Sequence, residues 1–551
     1  MEFFKASSQA ELATQDIVSW IFDAPQYDQD MPIYVDVHNP SNTISCNQAR
    51  KYVRQIIAGL RAAGFKKGDT LNIHSFNDIF YSILCLAAIG AGGVFTGTNP
   101  SYTKTELTHH MKTARVGFLI SEPEILQHAL DASKDHGIPA SRVWILNTGG
   151  REVPAGHRSW TELLTHGEQD WVRFDDEHTC RTTTAARLFS SGTTGLPKAV
   201  VITHQNFIAQ HVAIYMNPPP PFPKLRQAVA VPCFHASAVP SVHVSALKAG
   251  NVQHILRRFE LELFFKTIEK YNVNFISTVP PMAIAMIKSP LAKHPYLKGA
   301  KMGKVGAAPL DKALQAQFRS LMADDAPYTQ VWGMTETTCV ATAFPYPQAD
   351  DTGSVGFPVA NLEMRLVDDD GNNISAYDVR GEICVRGPTV TPGYYENPKA
   401  NAESFDKDGF FKTGDIGYCD GKTKKWYIVD RKKELIKVRG FQVAPPEIEA
   451  LLLSHPHVLE AGVIGVKYPD DDTTEHPRAY VVRQPVPEAQ SLDEKTVLAY
   501  TEGKLAKYKT LTGGVKFMDA LPKNPSGKIL KRLLREEAQK EIAKEWSTPK
   551  L

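Results

Sequence analysis

A loop rich in glycine and hydroxyl side chains constrains this chain more than any other stretch. It occupies residues 188–200 and reads LFSSGTTGLPKAV. Gly192 and Gly195 permit backbone turns that other residues avoid, and such turns can direct successive N–H groups at one anion. Hydroxyl donors and one positive charge are added by Ser190, Ser191, Thr193, Thr194 and Lys198. This density of donors predicts a polyphosphate site rather than a surface turn between two strands.

The loop is not a Walker A motif. That motif requires a glycine, four further residues and then Gly-Lys-Ser/Thr. When the count starts at Gly192, the second required glycine falls on Pro197. The predicted phosphate cradle is therefore of another kind, and motifs elsewhere in the chain must show which.

The composition predicts a globular protein of more than one domain. The chain has 551 residues, and single hydrophobic cores stop growing at roughly 250–300 residues. Its net charge of +2 predicts no nucleic-acid partner. Its seven cysteines are scattered without a CxxC spacing, which predicts reduced thiols inside a cell and no structural zinc site.

The two chain ends and the most apolar stretch give expectations about where in the cell the protein is located. The N-terminal sequence MEFFKA lacks a basic segment followed by an apolar core, so we expect no signal peptide and a cytoplasmic protein. Residues 79–95 are apolar but broken by Ser82 and three glycines, which favours a buried helix leading into a strand over a membrane span. The C-terminal Pro549-Lys550-Leu551 is similar to the Ser-Lys-Leu peroxisomal address, so peroxisomal import is an alternative to an ordinary basic tail.

Short apolar runs alternate with helical patterns through much of the chain. This alternation predicts an α/β fold with buried parallel strands covered on both faces. Past Gly353, short strands separated by Asp, Gly and Asn turns predict an antiparallel β subdomain. A charged helix–strand unit at the end is long enough to form a small domain. We therefore expect an N-terminal domain at 1–430, a hinge at 431–433 and a C-terminal domain at 434–551.

Five further motifs follow the loop in chain order. They are VGAAPL at 305–310, QVWGMTE at 330–336, FKTGD at 411–415, Asp430-Arg431 and PSGK at 525–528. The first has little side-chain bulk, so a flat ring could lie against its backbone. The others supply an aromatic face, carboxylates for ribose hydroxyls, a fork of donors and a lysine on a turn. Each motif alone has a simple structural explanation, but together they predict a nucleotide site.

With these motifs the chain resembles the adenylate-forming (AMP-binding) superfamily over about residues 30–540. It is most similar to 4-coumarate–CoA ligases and related fungal or plant acyl-CoA ligases, a likeness carried largely by KVRGFQVAP at 437–445. The resemblance implies a large N-terminal domain of parallel α/β-layered subdomains plus an antiparallel β subdomain, followed by a small mobile α+β domain. It also implies two steps. A carboxylate first attacks ATP to give acyl-adenylate and pyrophosphate, and the thiol of coenzyme A (CoA) then displaces AMP after the small domain rotates.

The resemblance also assigns residues to the nucleotide and the metal. ATP and AMP contacts are implied for Ser190, Ser191, Gly192, Thr193, Thr194, Gly195, Lys198, Ala307, Gln330, Val331, Trp332, Thr335, Asp415, Arg431 and Lys528. Mg²⁺ is implied near Thr194 and Glu336. Lys528 would bind the substrate carboxylate and the α-phosphate as charge develops. Trp332 stands where the family often has Tyr, and Val305 where many relatives have Ser or Gly, which leaves pocket details open.

The remaining assignments concern the acid and the thiol. The acyl pocket would be lined by His235, Ala236, Ser237, Gly306, Ala307 and Met334, with His235 as a gate between the adenylate and thiol sites. Lys433 would lie at the hinge. Lys437 and Gln442 would contact the adenylate phosphate in the rotated state, and Lys437, Gly440 and Phe441 would line the CoA route. The implied catalytic residues are Lys528, His235, Lys437, Gln442 and Glu336.

The favoured function is an ATP-, Mg²⁺- and CoA-dependent ligase for an aromatic or medium-chain carboxylic acid. An alternative is a stand-alone adenylation enzyme that loads a carrier protein, although no fused carrier domain follows Lys528. A non-catalytic nucleotide-binding protein is the third possibility. It is disfavoured because Lys528, Glu336 and Asp415 are all present.

Overall fold

The computed structural model describes residues 4–190, 196–216, 223–439, 441–469, 471–502, 504–524 and 527–547. Several predicted features lie outside these residues. They are the loop residues Ser191, Gly192, Thr193, Thr194 and Gly195, then Gly440, Pro525 and Ser526, and the C-terminal tripeptide 549–551. A run of four prolines at 218–221 also lies outside them.

The first sheet of the large domain carries, at one of its edges, the two strands that flank the phosphate loop. Seven strands of the described chain form it, in the spatial order Lys198–Thr203, Thr184–Ser190, Val94–Thr98, Thr70–His74, Val116–Ser121, Val143–Ile145 and Arg158–Ser159. The first two strands in this order run antiparallel to each other, and Lys198 lies opposite Ser190. The other neighbours run parallel. The loop therefore closes a hairpin at the margin of a parallel sheet.

A second sheet carries the next two motifs after its strands. Within the described residues it also has seven strands, in the order Tyr328–Gln330, Met302–Val305, Phe275–Thr278, Arg226–Val229, Val252–Ile255, Pro32–Asp36 and Thr43–Ser45. All neighbours are parallel except the last pair. The VGAAPL motif begins in one strand and the QVWGMTE motif follows another. Because the strands are parallel, the two motifs leave the same edge of the sheet.

The antiparallel β subdomain supplies the acidic motifs. Its main sheet has the strand order Phe4–Lys5, Glu363–Val367, Gly381–Arg386, Phe411–Cys419 and Trp426–Arg431, with Asn373–Ile374 paired to the second strand. A smaller antiparallel sheet joins Trp332–Met334, Cys339–Ala343 and Phe357–Pro358. The predicted antiparallel unit is therefore present, and the N-terminal strand at its edge had no sequence signal.

The last part of the chain forms a small α+β domain. A hairpin of Ile436–Val438 and Phe441–Val443 precedes a sheet of Val458–Tyr468, Asp471–Arg483 and Val515–Phe517. Helices Pro445–Leu453, Glu494–Thr501 and Lys531–Ser547 accompany it. Its buried side chains form clusters of their own, running from Ile436 to Val515 and from Ile464 to Ile542. The large domain has a continuous core from Ile17 to Trp426. The α/β fold class with a large and a small domain is thus confirmed.

The α-helices of the large domain alternate with its strands through much of the chain, as the alternating sequence patterns predict. The helix after Ser45 spans Cys46–Ala62 and begins with a reciprocal cap, in which Ser45 and Gln48 each bind the other's backbone N–H. The other α-helices are Ile17–Phe22, Tyr81–Gly90, Lys104–Ala114, Leu126–His136, Glu177–Thr182, His204–His211, Ala246–Ala249, Leu261–Lys270, Pro280–Lys288, Lys312–Ser320 and Pro398–Ser404. The apolar stretch at 79–95 is a buried helix followed by a strand, as predicted. No helix in the described ranges is long and apolar enough to cross a membrane.

A buried carboxylate joins the two large sheets at the carboxyl ends of their strands. Glu122, fully buried, accepts hydrogen bonds at 2.6 Å from the Ser75 hydroxyl and at 3.0 Å from the Phe76 N–H, both beyond a strand of the first sheet. Its other oxygen lies 2.6 Å from the Arg257 guanidinium, which follows a strand of the second sheet, and 3.8 Å from that of Arg151. Glu122 therefore ties together loops from both sheets.

We predict that Glu122→Gln destabilises the large domain by about 3–5 kcal/mol, because it leaves Arg257 without its buried counter-charge. The measurement is the urea midpoint of unfolding. Glu124→Gln is the matched control, since Glu124 binds the same two arginines but is 55% exposed, and it should cost under about 1 kcal/mol. Equal shifts for the two variants would contradict the role assigned to Glu122.

Candidate active site

Asp415 is the point at which three separate motifs meet. The Trp332 indole N–H donates to its Oδ2 at 2.8 Å, and the Arg431 Nε lies 2.6 Å from its Oδ1. Asp415 and Arg431 stand opposite each other on paired strands, so the backbone register fixes the ion pair. The charge of Asp415 raises the pKa of Arg431. Trp332 is only 7% exposed, so its predicted stacking role is joined by a positioning contact that the sequence did not indicate.

Lys528 is presented to this cluster by a turn of the small domain. The Asn524 N–H donates to the Lys528 carbonyl at 2.9 Å, and the Lys528 N–H donates to the Asn524 side chain at 2.8 Å. Burial, with a further contribution from the charge of Arg431, lowers the pKa of Lys528 to about 8. The charges of Asp415, Glu434 and Asp430 act in the opposite direction and raise its pKa. Charged groups from both sides of the predicted hinge thus act on this half-buried lysine.

The turn that carries Lys528 rests on the large domain. Gly527 has a φ of +79°, and a Cβ built on it would lie 2.8 Å from Cγ of Pro281. Only glycine combines this backbone conformation with so close an approach. Pro281 lies in the helix Pro280–Lys288 of the large domain. The contact therefore depends on the orientation of the small domain.

Glu336 connects the QVWGMTE motif to the flank of the phosphate loop through Tyr394. The carboxylate is buried, and the Tyr394 hydroxyl donates to its Oε1 at 2.9 Å. The Nζ of Lys198 lies 4.7 Å from the centre of the Tyr394 ring. Burial and the charge of Glu336 raise the pKa of Tyr394, so the phenol stays protonated. Sequence reasoning missed Tyr394, because nothing in its local pattern distinguishes it from a core tyrosine.

Gln330 shapes the glycine-alanine motif. Its side-chain oxygen accepts from the Leu310 N–H at 3.0 Å, and its amide nitrogen donates to the Leu310 carbonyl at 2.7 Å. Ala307, at the predicted ring platform, has a φ of +72°. Gln330 thus holds the end of a loop whose backbone is in an unusual conformation. This positioning contact accompanies the nucleotide role that the resemblance implies for Gln330. Thr335 and Val331 lie at the neighbouring cavity described next.

The six predicted acyl-pocket residues line one cavity of about 150 Å³. They are His235, Ala236, Ser237, Gly306, Ala307 and Met334. Sequence reasoning missed several polar residues of this cavity, among them Gln210 and Lys304. The signal for Lys304 was available, since a charged residue inside an otherwise apolar strand is unusual. Gln210 lies in a buried helix and had no comparable signal.

His235 and Ser237 separate this cavity from a second one of about 290 Å³, and Ser237 lines both. The Ser237 N–H donates to the His235 Nδ1 at 3.2 Å, and the Ser237 hydroxyl lies 3.0 Å from the same nitrogen. Burial lowers the pKa of His235 to about 4, so the imidazole is neutral at ordinary pH. The second cavity is bordered by Phe234 and Arg257 and reaches Gly527.

Lys437, Phe441 and Gln442, which were assigned to the thiol step, lie on a hairpin of the small domain. Lys437 pairs in register with Gln442 across the hairpin, and Val438 pairs with Phe441. The side chains of Lys437, Phe441 and Gln442 are exposed, with Phe441 at 56%. Phe441 stacks on Tyr508 at 4.6 Å within the small domain. Lys433 lies in the turn between Arg431 and this hairpin.

The described residues include no group of three or more His, Cys, Asp or Glu side chains that could hold a metal ion. Glu336 offers a buried carboxylate, and Thr194 lies outside the described residues. Mg²⁺ is commonly held by one or two carboxylates together with substrate phosphates. The single carboxylate of Glu336 beside the phosphate loop fits that mode of binding.

Comparison with known proteins agrees with this arrangement. The AMP-binding enzyme family matches residues 22–395, and the AMP-binding enzyme C-terminal domain matches residues 447–528. Phenylacetyl-CoA ligase epaB of Aspergillus niger is 51% identical over 98% of this chain and 100% of its own length. Acyl-CoA ligase azaF, also of Aspergillus niger, is 51% identical over 97% of this chain and 100% of its own length.

A solved structure shows the same fold over nearly the whole length. ATP-bound MatB from Rhodopseudomonas palustris superposes with a TM-score of 0.83 and 26% identity, over 96% of this chain and 99% of MatB. The superfamily predicted from the motifs is therefore confirmed, as is the likeness to fungal acyl-CoA ligases. The chain belongs to the adenylate-forming superfamily of AMP-binding enzymes and is an acyl-CoA ligase, an AMP-forming acid–thiol ligase.

Proposed function

We propose that this ligase activates a one-ring aryl or arylacetic acid, or a medium-chain acid of similar volume, as its acyl-adenylate. The carboxylate displaces pyrophosphate from ATP, and the acyl group then passes from AMP to CoA. The observation that carries this proposal is the electrostatic action of Asp415 and Arg431 on Lys528, together with a cavity of about 150 Å³ lined by the expected acyl-pocket residues. A cavity of about that size holds benzene in an engineered protein. The 51% identical relative named for phenylacetyl-CoA supports an arylacetic acid.

Charge neutralisation is the main task of the first step, because a carboxylate must approach a polyphosphate. The Lys528 ammonium is placed to bind both anions as charge builds on the α-phosphate. Lys198 and the hydroxyl donors of the loop would bind the β- and γ-phosphates, and Asp415 would accept from the ribose hydroxyls. Glu336 and Thr194 would hold Mg²⁺, which would neutralise phosphate charge.

The second step requires the small domain to turn. With Lys528 at the site, Lys437, Phe441 and Gln442 face solvent, so we propose that rotation about the turn containing Lys433 exchanges the two surfaces. The thiol then approaches along the second cavity and past His235. No general base is needed, since AMP is a good leaving group. Relatives named as CoA ligases support CoA over a carrier protein as the acceptor.

The proposal is tested by pyrophosphate release with ATP and Mg²⁺ across aromatic and medium-chain acids, with and without CoA. CoA-dependent turnover and an acyl-CoA product are expected. Release of pyrophosphate without any CoA thioester would contradict CoA as the acceptor. Peroxisomal import through Pro549-Lys550-Leu551 is a separate prediction, and its test is the location of a fluorescent fusion with and without this tripeptide.

We predict that Lys528→Ala slows acyl-adenylate formation by about 10²–10³-fold, because one preorganised contact to the developing charge is lost. Thioester formation from preformed acyl-adenylate should persist. The two half-reactions are measured separately, with Lys540→Ala as the control because Lys540 is an exposed lysine of the same domain. Equal loss of both half-reactions would refute this role for Lys528.

The pH dependence of the wild type gives the same test without a substitution. A lysine with a lowered pKa keeps its charge below that pKa and loses it above. Adenylate formation should therefore fall as the pH rises through about 8, the pKa of Lys528, while thioester formation should lack this decline. Lys528→Arg should move the decline to higher pH, because a guanidinium remains charged.

We predict that Gly527→Ala slows adenylate formation and leaves thioester formation nearly intact, because an added methyl group would clash with Pro281 in this domain orientation. Gly371→Ala is the matched control. Gly371 also has a positive φ, +83°, but a Cβ there meets nothing within 4 Å. Lys433→Pro should have the opposite effect, slowing thioester formation alone. Unchanged rates in both variants would argue against domain rotation.

A further inference from the structure

Tyr394 contacts two opposite charges that the proposed function assigns to ATP and its divalent cation. Its hydroxyl donates to Oε1 of Glu336 at 2.9 Å, and the Nζ of Lys198 lies 4.7 Å from the centre of its ring. At that distance an ammonium is attracted to the face of an aromatic ring. Tyr394 is 7% exposed and Glu336 is 4% exposed, so the phenol and the carboxylate are both shielded from water.

Neither charge is neutralised by a neighbour in the described part of the chain. Within those residues Glu336 forms no ion pair of 4 Å or less, and the same is true of Lys198. The charge of Glu336 contributes to raising the pKa of Arg431, but the Nε of that guanidinium is engaged 2.6 Å from Oδ1 of Asp415. Opposite charges near each other in a water-poor site attract strongly. A side chain that contacts both is therefore placed to decide whether they pair.

Backbone hydrogen bonds fix the segment that carries Tyr394. The next N–H along the chain, that of Tyr395, donates to the Ala199 carbonyl at 2.8 Å, in the strand that leaves the phosphate loop. On the other side the Thr391 N–H donates to the Glu336 carbonyl at 2.8 Å. The segment therefore connects the strand that begins with the lysine to the turn that carries the carboxylate, and it holds the phenol between these two elements.

We propose that Tyr394 is a positioning residue that holds the Lys198 ammonium and the Glu336 carboxylate apart, so that both charges remain available to ATP and Mg²⁺. Its hydroxyl occupies one carboxylate oxygen and leaves the other for the metal ion. Its ring attracts the ammonium without neutralising it, so the positive charge remains for the phosphates. This inference rests on the nucleotide site of the proposed function and adds a residue to it.

The first variant removes only the hydroxyl. Tyr394→Phe should raise the Mg²⁺ concentration that half-saturates ATP binding by about tenfold or more, because the carboxylate loses the group that orients it. Binding is measured by isothermal titration calorimetry over a Mg²⁺ series, without acid or CoA. ATP binding in EDTA and AMP binding should not change, since the ring still contacts Lys198. Tyr377→Phe is the matched control, because Tyr377 is an exposed tyrosine of the same β subdomain, and it should leave every value unchanged.

The second variant removes the ring as well. In Tyr394→Leu the ammonium and the carboxylate are free to pair, so the affinity for ATP in EDTA should fall by about tenfold. The affinity for AMP should not change, because AMP lacks the phosphates that Lys198 would bind. Addition of Glu336→Gln to Tyr394→Leu should restore the affinity for ATP in EDTA, since a neutral amide does not compete for the ammonium. A loss caused by misfolding would not be rescued in this way.

Three results overturn this inference. They are an unchanged Mg²⁺ requirement in Tyr394→Phe, an unchanged or unrescued affinity for ATP in Tyr394→Leu, and a loss of AMP binding equal to the loss of ATP binding. Each leaves the ligase function standing, because the acid panel tests that function separately. An acid panel that yields no CoA thioester overturns the proposed function, whereas the nucleotide titrations still decide the role of Tyr394.

Discussion

The ion pair between Asp415 and Arg431 is the contact on which the arrangement of the site depends. It is fixed by backbone register, and Trp332 from the smaller antiparallel sheet donates to the same carboxylate. Buried charges are stable only when their partners stay in place, because desolvation otherwise outweighs attraction. The pair and its indole partner therefore join the main sheet of the β subdomain to the smaller antiparallel sheet. The charges of Asp415 and Arg431 also act on the pKa of Lys528 in this orientation of the small domain.

In this orientation the small domain directs Lys528 at the site. The hairpin that carries Lys437, Phe441 and Gln442 leaves these side chains exposed, because one domain cannot direct two opposite surfaces at one site. Its described contacts with the large domain include the Gly527–Pro281 approach and a hydrogen bond of 2.7 Å from Lys288 to the Val458 carbonyl. Contacts as local as these hold an orientation without committing a hydrophobic core to it. The separate buried clusters of the small domain are consistent with a unit that moves as one body.

Much of the fold and the order of the site motifs could be predicted, because both depend on local sequence. The apolar stretch at 79–95 predicted the buried helix Tyr81–Gly90 and the strand after it, and the residue types of the loop and the motifs pointed to a nucleotide. The contacts that shape the site could not be predicted in this way. Tyr394 binds Glu336 across 58 positions and Trp332 binds Asp415 across 83. Such pairs follow from how sheets pack, and a single sequence does not encode them as a pattern.

Burial explains why the histidine in the wall of the acyl cavity is neutral. His235 lines that cavity, and Ser237 beside it lines both cavities. Removal from water disfavours the charged imidazolium, so the pKa of His235 falls to about 4. In the proposed mechanism the thiol passes this residue, and a neutral ring would move aside without breaking an ion pair. The wall would then open while the ion pair of Asp415 and Arg431 stays in place.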